Sequence, residues 1–116
     1  MTLEAFYAKI GGDYQKTIGR LYNETLLRKF ILKYRQDGTF SELQTAQAAG
    51  DWETAFRAAH TLKGLALNLG FDRLHVSADA LTEALRGPRP LTDSALYTAV
   101  AEDQALILSS IDELDA

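Results

Sequence analysis

Apolar residues recur three and four positions apart from one end of the chain to the other, and runs that alternate apolar with polar are almost absent. That is the period of helices burying one face, so the chain is predicted to be all-α. Leu3, Phe6, Tyr7 and Ile10 predict a short first helix that stops at Gly11-Gly12. Asp13 is placed to cap a second short stretch, with Tyr14, Ile18 and Leu21 on one side. Asn23 caps a longer helix, about 23–37, whose stripe is Leu26, Leu27, Phe30, Ile31 and Tyr34 and whose end is marked by Asp37-Gly38. The pattern leaves open whether this helix joins the preceding stretch as one bent rod.

Ser41 with Gln44 three residues later reads as a capping box, opening a brief helix that ends at Gly50. Asp51 caps the next helix, 51–69, whose apolar stripe includes Trp52, Ala55, Ala58, Ala59, Leu62, Leu65, Ala66 and Leu69, with Gly70 as a left-handed exit. Asp72 starts a helix over 72–86 with Leu74, Ala78, Leu81 and Leu85 at core spacing. Gly87-Pro88-Arg89-Pro90 then forces a loop, and Thr92 opens a last helix, 92–114, carrying Leu96, Val100, Ile107, Ile111 and Leu114. Four helices joined by short loops favour an antiparallel up-and-down four-helix bundle, with the two short N-terminal helices capping one end. No repeat, low-complexity tract or linker interrupts the pattern, so residues 1–116 read as a single domain.

A chain of 116 residues, 47% hydrophobic and 24% charged, buries a sizeable core unaided and lies far from the disordered class. It has no cysteine, which removes disulfides, thiol nucleophiles and Cys-type zinc sites from consideration. The first ten residues lack a basic segment followed by an apolar one, and nowhere do about 18 uncharged apolar residues run together. A soluble, cytoplasmic protein is expected. A net charge of -4 argues against phosphate-backbone binding to nucleic acid and makes a protein the better partner.

The candidate chemistry centres on His60. At about 100° per residue, Ala55, Ala58, Leu62, Leu65 and Leu69 fall opposite it, so the ring lies near the middle of the outward face of its helix. Lys63 and Gly64 follow one turn on, on the same face. A mid-helix glycine costs roughly 1 kcal/mol relative to alanine, and a run this rich in alanine had alanine to hand. Gly64 therefore either opens a dent through which a partner reaches the imidazole or lets a neighbouring helix pack closely. Lys63 is placed to pair with a group of about -1.5 to -2 charges carried by the ring, or is an ordinary solvated lysine. Phe56 and Leu67 project to the same half and form an apolar docking rim, unless the N-terminal helices cover Phe56. Arg57 and Asn68 add polar contacts at the margin. A neutral imidazole near pH 7 offers a nucleophilic nitrogen. His75, among Arg73, Leu74 and Val76, has no comparable setting and reads as a surface or partly buried residue. Two histidines without the Glu-x-x-His pairs of a di-iron bundle disfavour a metal site, and the lack of a Gly-rich phosphate loop disfavours self-phosphorylation from ATP.

The run His60-Thr61-Leu62-Lys63-Gly64 followed by Gly70 resembles the His-x-Leu-Lys-Gly signature of histidine-containing phosphotransfer (HPt) domains, and Gly11-Gly12-Asp13 and Ala49-Gly50-Asp51-Trp52 look like family punctuation. The resemblance implies a phosphorelay carrier whose His60 takes a phosphoryl group from a receiver-domain aspartate and passes it to another. It makes Lys63 the phosphate-stabilising residue and Gly64 the gap for partner access. It also implies no cofactor on this chain, magnesium and most catalytic groups on the receiver of a hybrid histidine kinase or response regulator, and a monomer without turnover of its own. Many members place a glutamine 22 residues after the histidine to orient the ring; here that position is Thr82, whose hydroxyl is shorter. The alternative function is a helical adaptor that binds a signalling partner through Phe56 and Leu67 without phosphorylation.

Overall fold

The computed structural model describes residues 1–116. They form seven helices and no strand: α1 Leu3–Ile10, α2 Tyr14–Leu21, α3 Glu24–Tyr34, α4 Thr39–Ala49, α5 Trp52–Leu69, α6 Asp72–Leu85 and α7 Ser94–Asp115. The all-α expectation holds because the starts are written locally. The side chains of Thr2, Asp13, Asn23, Asp51 and Asp93 each accept a hydrogen bond from a first-turn amide of the helix that follows. Gly11, Gly50 and Gly70 end α1, α4 and α5 in the left-handed conformation.

One junction that the sequence pattern leaves open is settled, and two helix starts differ from that pattern. Tyr22 adopts φ 56°, so α2 and α3 are two helices rather than one bent rod. Ser41 lies inside α4 and caps nothing: Asp37 Oδ1 already takes the Thr39 amide at 2.9 Å, which starts the helix two residues before Ser41. Asp93 rather than Thr92 caps the last helix, because its carboxylate accepts from the Ala95 amide at 3.0 Å. Asp72 begins α6 as expected, although the cap position itself is held by Phe71, which is fully buried and set by the core.

Consecutive helices from α4 to α7 pack against one another, with α4 joined to α5 and α5 to α6 by the two-residue turns 50–51 and 70–71. Helix α1 lies along α7, while α3 touches both α5 and α7. One cluster of 23 buried apolar residues runs through all these helices except α2, whose Tyr14, Ile18 and Leu21 pack on it from outside. Phe71 is its aromatic centre, with the rings of Phe6, Tyr7 and Tyr34 at 6.0, 6.2 and 5.4 Å. Burying side chains of this size stabilises the fold by roughly 1.5–3 kcal/mol each.

Two glycine turns lock together at one end. The Arg73 amide donates to Gly11 O at 3.1 Å and the Asp13 amide to Gly70 O at 3.3 Å. A Cβ on Gly12 would stand 2.5 Å from Gly70 O, and one on Gly70 would stand 1.8 Å from Thr17 Oγ1. The N-terminal pieces are therefore fastened directly to the turn that ends α5.

Candidate functional site

Eighteen residues in one unbroken helix carry the candidate side chains of α5, and its buried stripe of Ala55, Ala58, Ala59, Leu62 and Ala66 fixes which way the rest must point. His60 is exposed, opposite that stripe. Its ring stacks on Phe56, one turn before it, with centroids 6.4 Å apart and planes within 15°. Phe56 is half-buried, and the Arg86 guanidinium that follows α6 lies 5.3 Å from its ring centre. So the end of α6, not the N-terminal helices, covers Phe56. The aromatic expected at the docking rim is thus partly exposed and lies beside the imidazole.

Gly64 stands in open space: a Cβ there would meet no atom within 4 Å. No neighbouring helix needs the gap, which removes the packing explanation for this glycine. Leu67, two turns beyond His60 on the same line, is 47% exposed. Asn68 is exposed too, and Arg20 of α2 donates to the carbonyls of Leu67 and Asn68 at 3.3 and 3.2 Å. Arg57 is exposed and turns back along its helix to Thr54 Oγ1 at 3.3 Å.

Lys63 does not point freely into water. Its ammonium is 2.8 Å from Asp79 Oδ1 on α6, with the two side chains 28% and 46% exposed. Its backbone carbonyl lies 3.2 Å from His75 Nδ1, which donates when it carries the proton. The Lys63 ammonium beside Asp79 holds that carboxyl below the usual carboxylate range. Glu83 takes Arg86 at 2.9 and 3.0 Å through both of its oxygens, and Lys63 is the cation in direct contact with Asp79. The result is a polar seam between α5 and α6, one step to the side of His60.

Thr82, the candidate for orienting the ring, is turned the other way. It is fully buried, and its hydroxyl donates to Ala78 O at 2.7 Å, back-bonding along its own helix. Its only proton is thus used within α6. The sequence pattern does not single out His75, Asp79 or Arg86 as part of this site. Spacing of four puts His75 and Asp79 on one face of α6, with Arg86 just past its end, but which neighbouring helix that face meets is not written in the spacing.

On the far side of α5, a groove of about 700 Å³ opens between α2, α3 and the end of α5, lined by Arg20, Leu21, Phe30, Tyr34, Leu65 and Asn68 among others. It lies around the helix from the His60 crest, towards Leu65 and Leu69 rather than towards Lys63. No group of three or more His, Asp or Glu side chains is gathered closely enough to hold a metal ion, and no helix is long and apolar enough to cross a membrane.

Among known families, the model described as Hpt domain matches residues 26–116. No curated protein and no solved structure matches the chain.

Proposed function

The chain belongs to the Hpt domain family, whose members are phosphocarrier modules of two-component signalling, and from that premise we propose that it relays a phosphoryl group between receiver-domain aspartates through phospho-His60. The observation that carries this reading is an exposed imidazole on the crest of α5, stacked on Phe56 and followed one turn later by a glycine that nothing in this chain fills. The matched segment covers most of α3 and all of α4 to α7. In the proposed architecture α3 and α4 form the first, broken arm of an antiparallel up-and-down four-helix bundle completed by α5, α6 and α7, and residues 1–116 act as one domain.

In the proposed step a lone pair of one His60 ring nitrogen attacks the phosphorus of a receiver acyl phosphate. The aspartyl O–P bond breaks and its electron pair returns to the receiver carboxylate. The proton on the other ring nitrogen stays on the ring or passes to water, so nothing further is consumed. The reverse step breaks the N–P bond and delivers the group to a second receiver. This chain supplies the nucleophile, the Lys63 counter-charge and a docking surface around Leu67, Arg57 and Asn68. Magnesium and the remaining catalytic groups belong to the receiver, and the carrier works as a monomer without a cofactor.

Incubation with receiver domains of the same organism, each charged with acetyl phosphate, tests the proposal. The wild type takes up label at His60 and His60→Ala takes up none. Equal labelling of the two proteins overturns the assignment, and receiver binding without any label on the wild type identifies an adaptor instead.

A further inference from the structure

Helix α6 holds Lys63 at both ends. His75 meets its carbonyl at 3.2 Å and Asp79 meets its ammonium at 2.8 Å, and these two residues are one helical turn apart. The phosphotransfer reading assigns the same ammonium to the phosphoryl group of phospho-His60, three residues away on α5. One cation cannot fully serve two anions on different sides of it. Resting on that reading, we propose that Asp79 is a positioning residue that competes with the phosphoryl group for Lys63 and thereby sets how far the phosphoryl equilibrium lies towards the carrier.

The charges define the direction. A phosphoryl group brings about -1.5 to -2 charges against the single charge of Asp79, so it draws Lys63 away when it arrives. Arg86 and His75 also act on Asp79 through space, but the direct ion pair of Asp79 is with Lys63, and Arg86 is bound by Glu83 through two oxygens. Charging His60 therefore weakens the Lys63–Asp79 pair and leaves Asp79 with only the more distant His75 and Arg86, while discharge restores the pair. The unphosphorylated state gains what the pair is worth, and phospho-His60 becomes by that amount a better donor. No atom of Asp79 needs to touch the transferred group.

Exposed pairs of this kind are modest. Removing the competitor shifts the exchange equilibrium by about two- to five-fold. The experiment uses the whole chain and a receiver domain that labels its His60, charged with acetyl phosphate, and measures the equilibrium ratio of phospho-His60 to phospho-receiver. Asp79→Asn raises that ratio about two- to five-fold, Asp79→Glu stays near wild type, and Lys63→Met lowers it. In the Lys63→Met background Asp79→Asn raises the ratio markedly less, because no ammonium remains to be freed. Thermal unfolding of each variant accompanies the measurement, since a purely structural role would move the melting temperature and not this coupling. An unchanged ratio in Asp79→Asn, or the same increase whether or not the lysine is present, overturns the role of Asp79 while leaving His60 as the carrier. Failure of every charged receiver to label His60 overturns the carrier reading and this one with it.

Discussion

At Gly64 a single missing side chain separates stability from function. Glycine inside a helix carries the entropy of an unrestrained backbone, and here no neighbour packs against the space. Gly64→Ala accordingly stabilises the isolated protein by about 0.5–1 kcal/mol, measured by denaturant unfolding. A larger side chain at the same place obstructs the path to the imidazole. Gly64→Leu slows receiver-to-His60 transfer about tenfold, or roughly 1.4 kcal/mol of barrier, with the helix content by circular dichroism unchanged. A variant that transfers at the wild-type rate shows that the gap is not used. The setting of Gly64 on the outward face is legible from periodicity alone. The engagement of Lys63 by Asp79 is not, because the two lie on separate helices and meet only when those helices pack.

Gly70 plays the opposite part at the scale of elements. It ends α5 at φ 73° and receives the amide of Asp13 on its carbonyl, while its missing Cβ makes room for the buried Thr17 hydroxyl. Gly70→Ala meets left-handed strain of about 1–2 kcal/mol and a contact that only a shift of α2 relieves. The expected loss is at least about 2 kcal/mol by denaturant unfolding, and a loss below that figure refutes the lock. The sequence marks Gly70 as a helix exit, and Gly11-Gly12 as another, each for a local reason. That the two exits bond to each other is a tertiary fact. Boundaries are legible where one carboxylate or amide side chain caps the helix, as at Asp13, Asn23 and Asp51. They shift at Ser41 and Thr92, where Asp37 and Asp93, both close by in the chain, compete for the same first-turn amides.

Across the whole molecule, two tyrosine hydroxyls tie helices that are distant in sequence. Tyr7 of α1 donates to Leu69 O at the end of α5 at 2.6 Å, and Tyr34 of α3 donates to Gln104 Oε1 of α7. Burial pushes both phenols well above their ordinary value near 10. The folded state therefore keeps them protonated, and their contribution to stability is intact below that ordinary value and lost as pH rises beyond it. Tyr7 and Tyr34 accordingly ionise only together with loss of helix signal, as a late step in tyrosinate absorbance. Ionisation of all the tyrosines below that unfolding step contradicts the ties. The N-terminal residues before position 26 lie outside the matched family segment, yet Phe6, Tyr7 and Ile10 are among the most deeply buried side chains of the molecule.

Helix type, the order of the elements and the outward direction of His60 follow from the sequence alone, because each depends on spacing of three and four residues and on caps within reach of one turn. Which face meets which is decided only when the helices pack. The α6 partners of Phe56 and Lys63 and the burial of Thr82 all depend on the rotation of α6 against its neighbours, and that rotation is set by the joint fit of many apolar side chains around Phe71. Packing turned Thr82 inward, laid Arg86 over Phe56 and brought Asp79 to Lys63, because these contacts depend on distances between helices that no local pattern encodes.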